Sequence, residues 1–342
     1  MHIDRTLYID RVGAFAFDRL SCLRNEYAKN ECSLCLEQCA QRAFIFQEGK
    51  LRLDAGACTQ CGACIGVCPT GALSLYGFSY DVVLGKLKRG ETHLTCKHTL
   101  PCLGALSVPT LSALLIDSAK PFTCHLLECE TCPINAQNVV KETMIKRFEE
   151  ANAFVAALGY TCSISVSQEP VKESSRRAFF ERFKAAKEPH SDAPSEPLGV
   201  LKRALKASLN ASTLLDKSFS FIHPHTIDQA CDNCKECVQF CPSHALSYNS
   251  DQTKILFQLG KCVGCGICEA ICKKEAIHTP KNSFDIITFA YDKAEVLIEH
   301  NLHVCLTCKC AFSYKGGEKI CERCASFEKE HASLFTLASQ SE

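Results

Sequence analysis

The residue that could do chemistry in this chain is cysteine, and its spacing says which chemistry. Three runs follow Cys-x-x-Cys-x-x-Cys-x-x-x-Cys: Cys58, Cys61, Cys64 and Cys68; Cys231, Cys234, Cys237 and Cys241; Cys262, Cys265, Cys268 and Cys272. Three thiolates at this spacing wrap one inorganic body in a tight loop, and such runs hold [4Fe–4S] clusters. Pro69 and Pro242 follow the fourth cysteine of two runs. Proline suits the first turn of a helix, where no N–H is needed, so a helix is expected to start at each fourth cysteine. A looser set, Cys22, Cys32, Cys35 and Cys39, has nine residues between its first two members and Ala40 where the proline would stand.

Around these runs the chain reads as a duplication. The first half has Cys22 to Cys39, a hairpin turning at QEGK, Cys58 to Cys68 and a short strand. The second has Cys231 to Cys241, a hairpin turning at NSDQT, Cys262 to Cys272 and a short strand. Over about 20–78 and 225–280 the chain resembles the two-[4Fe–4S] bacterial ferredoxin family. The resemblance implies crossed ligation, in which the fourth cysteine of a run holds the partner cluster. Four [4Fe–4S] clusters would then be held by Cys22, Cys32, Cys35 and Cys68; by Cys39, Cys58, Cys61 and Cys64; by Cys231, Cys234, Cys237 and Cys272; and by Cys241, Cys262, Cys265 and Cys268. At the looser set a [3Fe–4S] centre or none stays open beside [4Fe–4S]. Gly62, Gly66, Gly264 and Gly266 suit tight turns with bare N–H groups near sulfur. The run 231–241 carries Asp232, Asn233, Lys235 and Glu236 instead, so its cluster is expected to differ in potential.

The middle of the chain has another composition. Strands over 91–96, 121–128 and 161–166 alternate with helices over 106–116 and 136–158, the order of a small parallel α/β unit. Cys96, Cys102, Cys129 and Cys132 fall at the carboxyl edge of those strands, where open α/β sheets bind ligands. Cys124 and Cys162 fall inside strands as small buried thiols. With Cys102, Leu103 and Gly104 before a helix, paired cysteines after the second strand and a helix containing Arg147, 92–167 resembles the delta-subunit family of methyl-viologen-reducing hydrogenases. That resemblance implies a fifth iron–sulfur centre, a [2Fe–2S] cluster, and electron passage between a dehydrogenase and a disulfide reductase. A docking fold with bystander or redox-active thiols is the other reading, and Cys124-His125 is a competing start for the second motif.

Towards the end, Cys305-x-x-Cys308 and Cys321-x-x-Cys324 frame a hairpin expected to turn at Gly316-Gly317. Two such knuckles have the spacing of a tetrahedral Zn site, with iron as the alternative and Cys310 to spare. The expected architecture is α/β and α+β multidomain. A ferredoxin unit with two clusters (1–85) and a small α/β unit (86–168) come first. A linker with amphipathic helices follows (169–222), then a second two-cluster ferredoxin unit (223–283) and a Zn-ribbon-like Cys-knuckle region (284–342). The linker's basic helices, 176–187 and 198–209, read either as packing on the ferredoxin units or as a docking or membrane-surface element.

The 342 residues include 27 Cys, no Trp and 2 Met. No secretory signal and no apolar run of about 18 residues is visible. A reducing, cytoplasmic setting is therefore expected, where metal ligation outranks disulfides. Lys plus Arg and Asp plus Glu are both 38. Anionic clusters would turn the loaded chain acidic, which disfavours nucleic acid as a partner. No dinucleotide-binding or Walker A motif is present. His223, His225 and His244 flank the run 231–241 in ordinary surface or supporting roles. The function expected is a subunit relaying single electrons between redox partner proteins of dehydrogenase, hydrogenase or disulfide-reductase type, with no substrate site of its own. The alternatives are an assembly or maturation factor for a metalloenzyme such as a formate dehydrogenase, and a thiol–disulfide enzyme using Cys129 and Cys132.

Overall fold

The computed structural model describes residues 5–27, 30–96, 100–170, 196–209, 213–280 and 283–331. The helix expected over 176–187 lies outside them. The chain packs as two units. The first comprises Met1–His223, Leu259–Cys265 and Lys281–Lys293; the second comprises Pro224–Gln258, Gly266–Pro280 and Ala294–Glu342. The run Cys262–Cys272 therefore divides between them after Cys265.

In the first unit, β1 (Ile9–Val12) pairs antiparallel with β2 (Phe15–Asp18). The short helices α1 (Leu23–Glu26) and α2 (Leu34–Gln38) follow. β3 (Phe44–Gln47) and β4 (Lys50–Leu53) form the expected hairpin. Its two loop residues, Glu48 and Gly49, have φ of 52° and 72°, the left-handed pair that a type I′ turn requires. β5 (Leu73–Leu75) returns to pair with β2. Alternation in β2 sends Phe15 and Phe17 inward to meet Phe44, Leu51 and Leu73. Phe17 lies edge-on to Phe44 at 5.7 Å between centroids. Cys22, Cys35, Cys39, Cys58, Cys64 and Cys68 pack on this apolar floor.

After α3 (Tyr80–Lys88) comes the expected parallel sheet, β6 (His93–Thr95), β7 (Phe122–His125) and β8 (Ile164–Ser167), with β7 central. Its crossovers are α4 (Val108–Ser118) and α5 (Val139–Ala157), as parallel strands demand. Ser107 caps α4 through the Thr110 N–H. Gly159, at φ 85°, ends α5. Cys162 precedes β8 rather than lying in it, and its Sγ donates to the Leu115 carbonyl at 3.5 Å. The basic helix α6 (Pro197–Ser208) packs within the first unit, in part on the turn Leu259–Lys261 that opens the Cys262 run. Leu198, Leu201, Ala204 and Leu205 are buried, and the helix lies on α4 and on the short helix Ile286–Ala290. Lys202 reaches Asp292 at 2.8 Å.

In the second unit, β9 (Thr226–Ile227) pairs with β12 (Ile277–His278). β10 (Leu246–Tyr248), β11 (Lys254–Gln258) and β13 (Ala294–Glu299) form an antiparallel sheet. Ile255 and Phe257 of β11 are buried by the same alternation. α7 (Glu236–Gln239) and α8 (Ile267–Ile271) carry thiols. β14 (Leu302–Val304) and β15 (Ala311–Ser313) make the terminal hairpin, followed by α9 (Glu322–His331). This hairpin turns at 305–310, through the first knuckle. Gly316 and Gly317 lie beyond β15, not at the turn, because the knuckle itself reverses the chain. No helix among the described residues is long and apolar enough to cross a membrane.

Candidate metal centres

One backbone serves all three regular runs. The residues before and after the second cysteine have positive φ: Gln60 and Gly62, Asn233 and Lys235, Gly264 and Gly266. Two left-handed residues turn the chain twice within four positions, so successive thiols point to one side. Backbone N–H groups of these loops turn inward too. Ala63, Asn233 and Glu236 present theirs to the sulfurs of Cys61, Cys231 and Cys234. A second feature includes the looser set. The third residue after each fourth cysteine, Arg42, Gly71, His244 or Glu275, is also left-handed. Behind it, Ala43 N–H reaches Cys39 Sγ at 3.4 Å and Ala276 N–H reaches Cys272 Sγ at 3.3 Å.

That turn replaces the helix expected after each fourth cysteine. The helical turns run before it: α2 ends at Cys39, Ile65–Val67 at Cys68, α7 ahead of Cys241 and α8 at Cys272. Pro69 and Pro242 therefore follow a helical turn. A missing N–H suits that position too, because the chain must leave for a strand there.

The runs come together in pairs. In the first unit, a cavity walled by Phe15, Phe44 and Ile134 is lined by Cys39 with Cys58, Cys61 and Cys64. Burial holds the Cys64 thiol well above its usual value, with Cys61, Cys35, Cys39 and Cys58 adding to the rise. Burial also pushes Cys35 up to about 12, and the nearby thiols acting on it are Cys68, Cys22 and Cys32. Cys22 and Cys32 are both raised, by burial first and Cys68 after it. In the second unit a like cavity, walled by Ile227, Ile255 and Ile277, is lined by Cys231, Cys234, Cys237 and Cys272. Burial pushes Cys237 up to about 12. Cys262 and Cys265 belong to the first unit, and Cys241 and Cys268 to the second.

These two cavities fit iron–sulfur clusters by donor chemistry and form. Each presents four soft thiols, with backbone N–H groups turned to sulfur and apolar walls. A buried thiol with a raised pKa resists ionising alone, and ligation to iron removes that penalty.

The middle thiols also meet. Cys96 follows β6, Cys102 precedes the turn Leu103–Ala105, and Cys129 lies in the turn after β7. A hydrogen bond from Cys129 brings Cys96 down to about 6, and the Cys129 thiol rises correspondingly. Burial pushes Cys102 up to about 12, where Cys96, Cys61 and Cys132 also act on it. Cys61 belongs to the neighbouring ferredoxin loop, so the two thiol groups adjoin. Gly66 shows how closely: a Cβ there would meet the Gly104 carbonyl and sit 2.5 Å from Arg147 Nη1. Buried Arg147 donates from Nη1 to the carbonyls of Gly104 and Leu106, at 2.9 and 3.1 Å, and its buried Nη2 has no hydrogen-bond partner among the described residues. Cys124 is fully buried in β7, where burial and then Cys96 raise its thiol, and His125 bonds His93 at 2.8 Å.

Cys305, Cys308, Cys321 and Cys324 form the one group, among the described residues, whose ligand atoms all lie within 4.8 Å. Cys308 and Cys321 are 3.7 Å apart. Tetrahedral metal–sulfur bonds of about 2.3 Å put sulfurs about 3.8 Å apart, so this set fits a single ion. Backbone N–H groups of Cys321 and Cys308 bring Cys305 down to about 6. Cys310 is exposed outside the group.

Asn30 and His300 escaped the sequence reading as residues near the thiols, and His225, already singled out beside the run 231–241, lies against a cysteine of the run 262–272. Asn30 accepts from Cys32 N–H at 3.0 Å and donates to the Cys265 carbonyl at 3.0 Å, tying the looser set to the third regular run. His225 lies 3.8 Å from Cys268 Sγ, and His300 lies 3.6 Å from Cys231 Sγ. Asn30 falls in the long Cys22–Cys32 interval, which was its one signal. His300 stands far from its cysteine in the chain and left none.

Comparison with known proteins agrees with cluster ligation at two of these stretches. Residues 230–276 match the 4Fe–4S dicluster domain, and residues 51–74 match the 4Fe–4S binding domain. These two stretches are ferredoxin-type 4Fe–4S domains. Two curated proteins named archaeal-type glutamate synthase (NADPH), from Thermotoga maritima and Thermotoga sp. strain RQ2, are each 42% identical to this chain over 71 residues. The match covers 21% of this chain and 14% of theirs.

Proposed function

We propose that this chain is an electron-transfer subunit that relays single electrons between redox partner proteins. In this reading four [4Fe–4S] clusters, bound by the sixteen crossed cysteines, supply one-electron transfer. Cys96, Cys102, Cys129 and Cys132 hold a further iron–sulfur centre, and the C-terminal quartet holds Zn. The observation that carries the reading is the adjoining of thiol groups inside the first unit. Cys61 acts on Cys102 across the contact at Gly66, and Asn30 links Cys32 to the loop of Cys265.

The residues have distinct tasks. The cysteines hold, Phe15 and Phe44 exclude water, and the inward N–H groups stabilise added charge on sulfur. Arg147 brings a buried positive charge beside Cys102, with one nitrogen free to face an anion. The partners follow from this chemistry as one-electron donors and acceptors of dehydrogenase, hydrogenase or disulfide-reductase type. The likeness to an NADPH-linked synthase favours a nicotinamide-dependent enzyme at one end. In the test, anaerobic protein is reduced by a flavin dehydrogenase with NADPH and reoxidised by a second protein acceptor. Bleaching and recovery of the cluster absorbance at a rate matching throughput supports the relay. Clusters that bleach but never reoxidise through a protein acceptor contradict it.

One observation favours a second reading. The Cys96 thiol, lowered to about 6 by Cys129, is a good nucleophile at neutral pH. Thiol–disulfide turnover lost in Cys129→Ser, with iron content unchanged, would move the function to these thiols.

A further inference from the structure

All the contacts that matter here lie in the second unit. Its C-terminal hairpin sits against the loop that opens the Cys231 run. His300, 5% exposed, stands just before β14. Its Nε2 is 3.6 Å from Cys231 Sγ, and its Nδ1 is 2.9 Å from Ser313 Oγ on β15. The backbone fixes both ends of this link. His300 N–H donates to the Thr253 carbonyl at 2.7 Å, and Tyr314 N–H donates to the Asn301 carbonyl at 2.7 Å. Lys315, two residues past Ser313, donates to the carbonyls of Gln229 and Ala230, next to Cys231. Lys274, two residues past Cys272, pairs with Glu322 at the start of the helix carrying Cys324.

We infer that the C-terminal four-cysteine site is a lock on one cluster: its metal holds the hairpin in place so that His300 donates a hydrogen bond to Cys231 sulfur and raises that cluster's reduction potential. A neutral imidazole has one N–H. The Ser313 hydroxyl, donating to Nδ1, puts that hydrogen on Nε2, facing sulfur. An N–H bond to a ligand sulfur stabilises the reduced, more negative cluster and so raises its potential. The knuckle metal anchors both edges of the device. Cys305 and Cys308 follow β14 in the turn, Cys321 immediately precedes α9 and Cys324 lies in its first turn. His300 is a positioning residue in this scheme, not a ligand.

The inference rests on the proposed cluster at Cys231, Cys234, Cys237 and Cys272 and on Zn in the knuckle. Anaerobic holoprotein is compared with Cys321→Ser, His300→Phe, Ser313→Ala and the double variant Cys321→Ser/His300→Phe. Each is measured for iron and zinc content and by EPR-monitored redox titration. Cys321→Ser should lose zinc, keep its iron, and shift one cluster signal to lower potential with the others unmoved. His300→Phe should shift the same signal in the same direction. The double variant should shift no further than the larger single, since both remove one interaction. Ser313→Ala, which leaves the ring in place, should give a smaller shift of the same sign. A zinc-free Cys321→Ser protein with every midpoint unchanged overturns the lock, and so do additive shifts in the double variant. Wild-type protein without cluster signals would instead sink the cluster reading beneath it.

Discussion

The runs Cys58–Cys68 and Cys231–Cys241 fold the same turn out of different residues, and they face different surroundings. The first uses Gly62 after its second cysteine, and the other uses Lys235 at φ 73°. The first has Gly66 between its third and fourth cysteines, where the second has the exposed Gln239. Gly66 is required by its neighbours, because the loop of Cys102 and Arg147 leaves no room for a Cβ. Gln239 instead faces solvent. The left-handed turns are therefore the common requirement of ligation. The glycine at 66 is a local requirement of bringing a second thiol group close. One run is built to sit beside another thiol group, and the other to carry a cap.

The largest effect tests the shared requirement. Cys64→Ser and Cys237→Ser should each remove one cluster, about four irons per chain, leaving the other clusters' EPR signals in place. Loss of all iron from either variant would show that the two runs are not independent. Gly66→Ala and Gln239→Ala separate the local requirement. The first should destabilise the protein by about 1–3 kcal/mol through overpacking. The second should stay within about 0.5 kcal/mol of wild type, both read from thermal midpoints of loaded protein. Equal effects would show that the Gly104 loop and Arg147 do not constrain position 66. Gly62→Lys should cost about 1–2 kcal/mol, the left-handed penalty of a side chain. Lys235→Gly should gain somewhat less, because Lys235 also lies 5.8 Å above the Tyr248 ring.

The smallest effect is in pH. Cys35 and Cys237, one in each unit, are pushed up to about 12 by burial. In metal-free protein their contribution to stability is complete below the usual thiol value near 9. It is lost as pH rises from there towards 12. Urea midpoints of the metal-free chain should therefore fall between pH about 8 and about 10.5, while loaded protein, whose ligands have already given up their protons, stays flat. A metal-free profile without slope contradicts the burial of these thiols.

Much of this was legible because cluster ligation writes itself into local spacing. Four positions of a run fix their own turn, so Cys58 to Cys68 announces its geometry without help from the rest of the chain. The QEGK hairpin and the strand–helix order of 91–167 were legible for the same reason, through turn chemistry and apolar periodicity. What failed was longer in range or opposite in local sense. Pro69 suits the start or the aftermath of a helical turn, and sequence alone does not choose between them. The helix at 198–209 shows an apolar stripe, which says that it packs but not that α4 is the partner. Gly316-Gly317 carries a turn signal, yet the knuckle Cys305–Cys310 reverses the chain first. Asn30 reaches the Cys265 loop and His300 reaches Cys231 only through tertiary contact, so those links had no pattern to read.

The central claim is that the spaced thiols bind iron and sulfide as clusters. Its most direct test is the iron, sulfide and zinc content of anaerobically purified protein, with EPR after reduction. The account predicts at least about sixteen irons with matching sulfide per chain and signals of interacting reduced [4Fe–4S] clusters. Folded, colourless protein holding zinc alone would contradict it.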